Sequence, residues 1–108
     1  MTHVIGTQVT DSLIVHVSAL LEDLIPEYLE QQKEDVKCMI AACGQGDYET
    51  ILSLGHDMKG TGGAYGFDAL SEIGGRIVQS ALEQNLEEVR QLLGALSTYL
   101  DRVEVVSV

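Results

Sequence analysis

The sequence predicts an all-α protein, an antiparallel up-down four-helix bundle preceded by a short extended or lid segment. Two observations carry this prediction. Apolar residues recur at a spacing of three to four in four successive stretches, and glycine, proline or a capping residue bounds each stretch. Helices joined by such short connections favour neighbours that run in opposite directions. The length of 108 residues fits one domain with one modest core.

The chain divides into three predicted segments. They are a flexible or extended N-terminal segment, the helical bundle and a C-terminal tail that can form a short strand, over residues 1–17, 18–103 and 104–108 respectively. Residues 13–17 and 103–106 are short and rich in β-branched side chains, which favours extended structure. We therefore expect the two ends to pair beside the bundle, and residues 19–24 to add a short lid helix.

The first helix is expected to follow Pro26, which suits a first helical turn, and to end at Gly44-Gln45-Gly46. Its inward positions are predicted from the three-to-four spacing as Leu29, Lys33, Val36, Ile40 and Cys43. Cys38 and Cys43 lie about 140° apart around this helix and cannot pair with each other there. We expect both cysteines to be small buried residues.

The other three helices have clear boundaries in the sequence. Asp47 is a good N-cap for a second helix that runs from about residue 48 to 65, where Gly66 breaks it. A third helix is expected near residues 68–83, and Asn85 caps a fourth. The apolar faces of the last two are Leu70, Ile73, Ile77 and Ala81, and Val89, Leu92, Leu93, Leu96, Leu100 and Val103.

The charge balance excludes several functions. With 17 acidic and 6 basic residues, the formal net charge is −11, which repels nucleic acids and anionic membrane surfaces. No apolar run approaches the roughly 20 residues of a membrane span, and the first residues lack the pattern of a secretory signal. We expect a cytoplasmic chain with no nucleic-acid or membrane partner.

His56 lies on the solvent side of the second helix. At about 100° per residue from His56, the apolar residues of this helix fall between about 160° and 220°. They are Ile51, Leu54, Met58 and Tyr65. The helix therefore packs through the face opposite His56, while Lys59 and Gly60, three and four residues later, flank the imidazole.

The same helix is rich in glycine. Five glycines fall within twelve residues: Gly55, Gly60, Gly62, Gly63 and Gly66. Each glycine inside a helix costs about 1 kcal/mol relative to alanine, which is large beside a total stability of about 5–15 kcal/mol. Gly55 and Gly62 lie at the edge of the packed face, where they permit close helix approach. Gly60 and Gly63 lie beside His56, where small residues leave room for a partner's active site.

These residues carry a resemblance to a known family. The run His56-Asp57-Met58-Lys59-Gly60, followed by Gly66, resembles the H-x-x-K-G…G signature of histidine phosphotransfer (HPt) domains. The similarity continues through residues 70–74 into the last helix and covers about residues 20–103. The resemblance implies that His56 accepts a phosphoryl group from a receiver-domain aspartyl phosphate or a sensor kinase, and passes it to another receiver aspartate.

The resemblance also assigns supporting roles. It implies that Lys59 lies beside the phosphoryl group and that Gly60 provides clearance. Several family members place a polar side chain from the next helix near the histidine. Here Val78 occupies the closest equivalent position, with Gln79 and Arg76 as the possible polar neighbours.

The chemistry agrees with a phosphocarrier rather than an enzyme. Phosphoryl transfer depends on positioning and charge stabilisation, which Lys59 supports from the same helix face. No nucleotide-binding motif, metal-ligand spacing or acidic Mg²⁺ cluster is present in the sequence. We expect no metal or cofactor in this chain, with Mg²⁺ in the partner receiver only. The expected partners are a response-regulator receiver domain and a hybrid or sensor histidine kinase. We expect the chain itself to be a monomer.

Two other functions remain open at the level of sequence. An enzyme that uses His56 as its own base or nucleophile needs an orienting carboxylate and a concave site, and the exposed helix face argues against one. A helical interaction or scaffold module without phosphoryl transfer is the second alternative. Such a module binds its partner equally well when His56 is changed to glutamine.

Overall fold

The computed structural model describes residues 13–108, so the predicted N-terminal segment is covered from residue 13 onward. The elements in chain order are strand β1 (Ile14–Val17), a 3-10 helix (Ala19–Leu24), helices α1 (Ile25–Gln45), α2 (Tyr48–Tyr65), α3 (Asp68–Leu82) and α4 (Leu86–Arg102), and strand β2 (Glu104–Ser107). Helix α1 packs against α2 and α4, and α3 packs against the same two helices. The predicted four-helix bundle is confirmed.

The ends of α2 and α4 follow the capping residues that the sequence indicates. The Asp47 side chain accepts a hydrogen bond from the Thr50 backbone N–H at 3.1 Å, which starts α2. Hydrogen bonds from Thr50 hold the pKa of the Asp47 carboxyl below its usual range. Gly66 ends α2 with φ 90°, a left-handed conformation that glycine adopts without strain. Asn85 caps α4 by accepting from the Glu88 N–H at 3.1 Å.

The predicted pairing of the two chain ends is present. Strands β1 and β2 run parallel, with Ile14 opposite Glu104 and Val17 opposite Ser107. Side chains alternate along a strand, and Val15 and Val17 face the core. The pair therefore covers one end of the bundle.

The core is largely aliphatic, with three buried aromatic residues: Phe67, Tyr28 and Tyr99. Its most deeply buried side chains are Phe67, Met39, Ile51, Met58, Leu70, Ile77, Leu93 and Leu96. The predicted inward face of α1 is wrong at Ile40, which is 54% exposed. Gln32 occupies an interior position at 4% exposure, so the apolar pattern of α1 is shifted in phase. The same shift leaves Cys38 exposed, whereas Cys43 is buried as expected.

Among residues 13–108, no helix has both the length and the apolar character that a bilayer crossing requires.

Candidate functional site

His56 lies in the middle of α2 and is exposed, as the helical wheel predicts. The opposite face of the helix carries Ile51 and Met58, which are 0% and 1% exposed. The helix is thus held by its back face, and the imidazole projects from the bundle. This arrangement makes the histidine accessible without any rearrangement of the core.

On one side of His56, helices α2 and α3 pack unusually closely. A Cβ atom on Gly62 would come within 2.7 Å of the Ser71 backbone nitrogen, and one on Gly55 within 3.1 Å of Val78 Cγ2. From the other helix, a Cβ atom on Gly74 would lie 2.9 Å from the Gly55 carbonyl oxygen. Real Cβ atoms do not reach the shortest of these distances. The predicted close approach at Gly55 and Gly62 is therefore confirmed.

Lys59 lies between this contact and His56. The Ser71 hydroxyl donates a hydrogen bond to the Lys59 carbonyl oxygen at 2.8 Å. Helical side chains lean towards the N-terminus, so the Lys59 side chain leans towards the turn that holds His56. Both ion pairs found within the described range lie on α1, so no carboxylate oxygen there is within 4.0 Å of the Lys59 ammonium. The site accordingly carries a positive charge that no carboxylate of residues 13–108 pairs with.

The other side of His56 is open. A Cβ atom on Gly60 would meet nothing within 4 Å, and one on Gly63 would meet only the Ser71 hydroxyl oxygen, at 3.8 Å. Packing within the described residues therefore gives no reason for glycine at position 60, in agreement with the sequence argument. The clearance that these glycines offer to a partner remains a prediction.

A groove of about 680 Å³ runs between α1 and α2 beside the open flank, and His56 lies on its rim. The Thr61 hydroxyl donates to the Asp57 carbonyl at 3.0 Å, so the Tyr28 hydroxyl, 3.1 Å away, is the donor to Thr61 Oγ1. This chain of hydrogen bonds ties α1 to α2 at the groove. Burial raises the pKa of Tyr28, and its hydrogen bond with Thr61 acts in the opposite direction.

The shape of the surface at His56 differs from the prediction, but the argument against an autonomous enzyme still holds. The wheel predicts a convex surface at His56, whereas the structure places the imidazole at the edge of a concavity lined partly by Asp35 and Asp57. Neither carboxylate lies within 4.0 Å of an imidazole nitrogen, since His56 takes part in no ion pair among residues 13–108. The orienting acid that an autonomous enzyme needs is thus missing from this part of the chain.

Neither of the two polar neighbours predicted on α3 donates a hydrogen bond to His56 among the described residues. The Gln79 amide donates to the Glu83 carboxylate at 2.9 Å on its own helix, and Arg76 is exposed. The side chains of Val78 and Ile77 lie against α2 at Gly55. The structure therefore gives His56 no hydrogen bond from Gln79 or Arg76 within the described residues.

Sequence reasoning did not identify the α3 residues that lie against Lys59. They are Ser71, Gly74 and Gly75. The signal was available, because two adjacent glycines inside a helix carry the same propensity cost that drew attention to α2. As to metals, the described residues contain no group of three or more His, Cys, Asp or Glu side chains close enough to hold an ion.

Comparison with known proteins identifies the family. The family model described as "Hpt domain" matches residues 16–105, which is most of the chain, and the protein belongs to that family. Hpt domains are phosphocarriers of two-component signalling rather than enzymes. Neither a curated protein nor a solved structure matches the chain.

Proposed function

We propose that His56 is the phosphoacceptor of this Hpt domain. It takes a phosphoryl group from the aspartyl phosphate of a receiver domain, or from a hybrid or sensor histidine kinase, and passes it to another receiver aspartate. One observation carries the proposal: an exposed histidine lies between a flank that no packing fills and a lysine that no carboxylate of the described residues neutralises.

The transfer is a single displacement at phosphorus. An imidazole nitrogen of His56 forms a bond to phosphorus as the bond between phosphorus and the aspartyl oxygen breaks, and the aspartate leaves as a carboxylate. The second ring nitrogen retains its hydrogen. The return step to another receiver is the same reaction in reverse. Because little covalent chemistry is required of the carrier, positioning and electrostatic stabilisation dominate.

The remaining roles in transfer are divided between this domain and the receiver. Lys59 stabilises negative charge on the phosphoryl oxygens from the α3 side, and Gly60 leaves room for the receiver's active site on the open side. Gly63 leaves room two turns from His56 along α2, next to Ser71. Mg²⁺ and the catalytic carboxylates come from the receiver. We predict that the protein works as a monomer in the cytoplasm.

The experiment is phosphoryl transfer from a panel of phosphorylated receiver domains to three proteins: wild type, His56→Gln and His16→Gln. His16 is also exposed, which makes it a matched control for loss of a surface histidine. We expect acid-labile, base-stable label on wild type and His16→Gln and none on His56→Gln, with all three melting within a few degrees of one another.

Two results would contradict the proposal. Label on His56→Gln would place the phosphoacceptor elsewhere. Absence of label from every receiver, together with undiminished receiver binding by His56→Gln, would favour the scaffold alternative.

A further inference from the structure

We propose that α3 positions the Lys59 ammonium for transfer, with Gly75 as the seat of the lysine side chain and Ser71 as an anchor of its backbone. The inference deepens the proposed function and rests on it. It makes Ser71 and Gly75 positioning residues, which act through Lys59 and do not touch the phosphoryl group.

The side-chain contact is the first step. A Cβ atom on Gly75 would lie 3.5 Å from Lys59 Cδ and 3.8 Å from Lys59 Cε. The aliphatic part of the lysine therefore passes directly over the Gly75 backbone. Lysine commonly buries its methylene chain along a neighbouring surface while its ammonium stays in water. Here that surface is the bare backbone of α3.

The backbone contacts are the second step. The Ser71 hydroxyl donates to the Lys59 carbonyl at 2.8 Å, and a Cβ atom on Gly74 would lie only 2.8 Å from the Lys59 nitrogen. The backbone of Lys59 is thus hydrogen-bonded to α3 through its carbonyl group and lies directly against α3 at its nitrogen. An ordinary surface lysine has neither restraint, and ordering it for catalysis costs side-chain entropy.

Direction is the third step. Relative to His56, Lys59 lies at about −60° around α2, and Gly55, which marks the contact with α3, lies at about −100°. Lys59 is therefore placed between α3 and the histidine. A side chain seated on α3 and leaning towards the helix N-terminus carries its ammonium along the flank of His56.

Packing alone explains Gly74 but not Gly75. A Cβ atom on Gly74 would approach backbone atoms of Lys59 and Gly55 within 2.9 Å, which the bundle cannot accommodate without shifting. At Gly75 the nearest atoms belong to the Lys59 side chain alone, at ordinary contact distances. Alanine would fit there, and would favour the helix. What a larger residue would disturb at this position is Lys59.

The test is a double-mutant cycle on the rate of transfer from a phosphorylated receiver to His56. The variants are Gly75→Leu, Lys59→Ala and the double variant, with Gly75→Ala as the small-residue control. Gly94→Leu controls for adding leucine at an exposed helical glycine, since a Cβ atom there meets nothing within 4 Å.

We expect Lys59→Ala and Gly75→Leu each to slow transfer about tenfold, less than the loss of a donor in a dry site. The double variant is expected to be no slower than Lys59→Ala. Gly94→Leu keeps the wild-type rate, and Gly75→Ala, whose Cβ atom fits beside Lys59 at an ordinary contact distance, slows transfer much less than Gly75→Leu. Ser71→Ala, which adds no bulk, gives a second cycle should Gly75→Leu fail to fold, and its smaller loss is expected to vanish in the Lys59→Ala background.

Independent losses in the double variants, or a wild-type rate for both Gly75→Leu and Ser71→Ala, would overturn the inference while leaving the proposed function intact. A wild-type protein that no receiver labels would overturn both.

Discussion

The two flanks of α2 use the same amino acid for opposite reasons. On the flank that meets α3, a Cβ atom on Gly62 has no room, and one on Gly55 would be crowded by the side chains of Val78 and Ile77. On the flank that faces solvent, a Cβ atom on Gly60 would touch nothing. The first pair contributes to the fold. No contact among the described residues accounts for glycine on the second flank, and we propose that the docking receiver does.

The largest expected effect is at the packed flank. Gly62→Ala brings a Cβ atom to 2.7 Å from the Ser71 backbone nitrogen, so α3 must move away. We expect the free energy of unfolding to fall by about 2–3 kcal/mol, the upper range for overpacking, despite the better helix propensity of alanine. Urea denaturation measures this change. An unchanged midpoint would show that the two helices are not in contact there.

Removal of the positive charge of Lys59 is expected to raise the activation free energy of transfer by about 1.4 kcal/mol. Lys59→Ala removes the only cation argued to act on the phosphoryl group, and we expect transfer to slow about tenfold without stopping. Lys59→Arg keeps the charge and serves as the control. Complete loss in Lys59→Ala would indicate that the lysine reacts or supports the fold, and an unchanged rate would remove it from the site.

A smaller effect is expected at the groove on the open side. Tyr28→Phe removes the hydroxyl that donates to Thr61 Oγ1, so this hydrogen bond between α1 and α2 is lost. The expected cost is about 1 kcal/mol of stability, typical of one hydrogen bond, with little effect on transfer. Thermal melting and transfer assays of the same preparation separate the two quantities. A large loss of transfer in a stable Tyr28→Phe would move the functional surface towards α1.

The smallest effect is a gain. Gly60→Ala adds a Cβ atom to open space and removes the flexibility of an interior helical glycine, so we expect stabilisation by about 0.5–1 kcal/mol. A change from glycine to alanine is thus expected to raise stability at position 60 and to lower it at position 62. If Gly60→Ala destabilised the protein, the open flank would be packed after all.

The sequence predicted α2 well because its face pattern is unambiguous. Ile51 and Met58 repeat at helical spacing opposite His56, and the cost of the glycines demanded an explanation. The inward face of α1 was predicted correctly at Val36 and Cys43 but not at Ile40, because the polar residue Gln32 fills an interior position and displaces the apparent stripe. A single-residue change of phase was enough to place Ile40 inside.

The contacts between helices were beyond the reach of a helical wheel. A wheel gives the direction of each residue around its own axis and does not say which residue of the neighbouring helix lies opposite. The seating of Lys59 on Gly75 depends on that relative placement. For this reason the sequence could identify the residues on α2 but not their supports on α3.

The measurement that tests the account most directly compares Gly60→Leu with Gly62→Ala for both stability and transfer to His56. The account predicts that Gly60→Leu is at least as stable as wild type but transfers at least about tenfold more slowly, since its side chain obstructs the receiver. Gly62→Ala is expected to be less stable, with the folded fraction transferring near the wild-type rate. A wild-type transfer rate in Gly60→Leu would contradict the claim that His56 works by standing clear of its own protein.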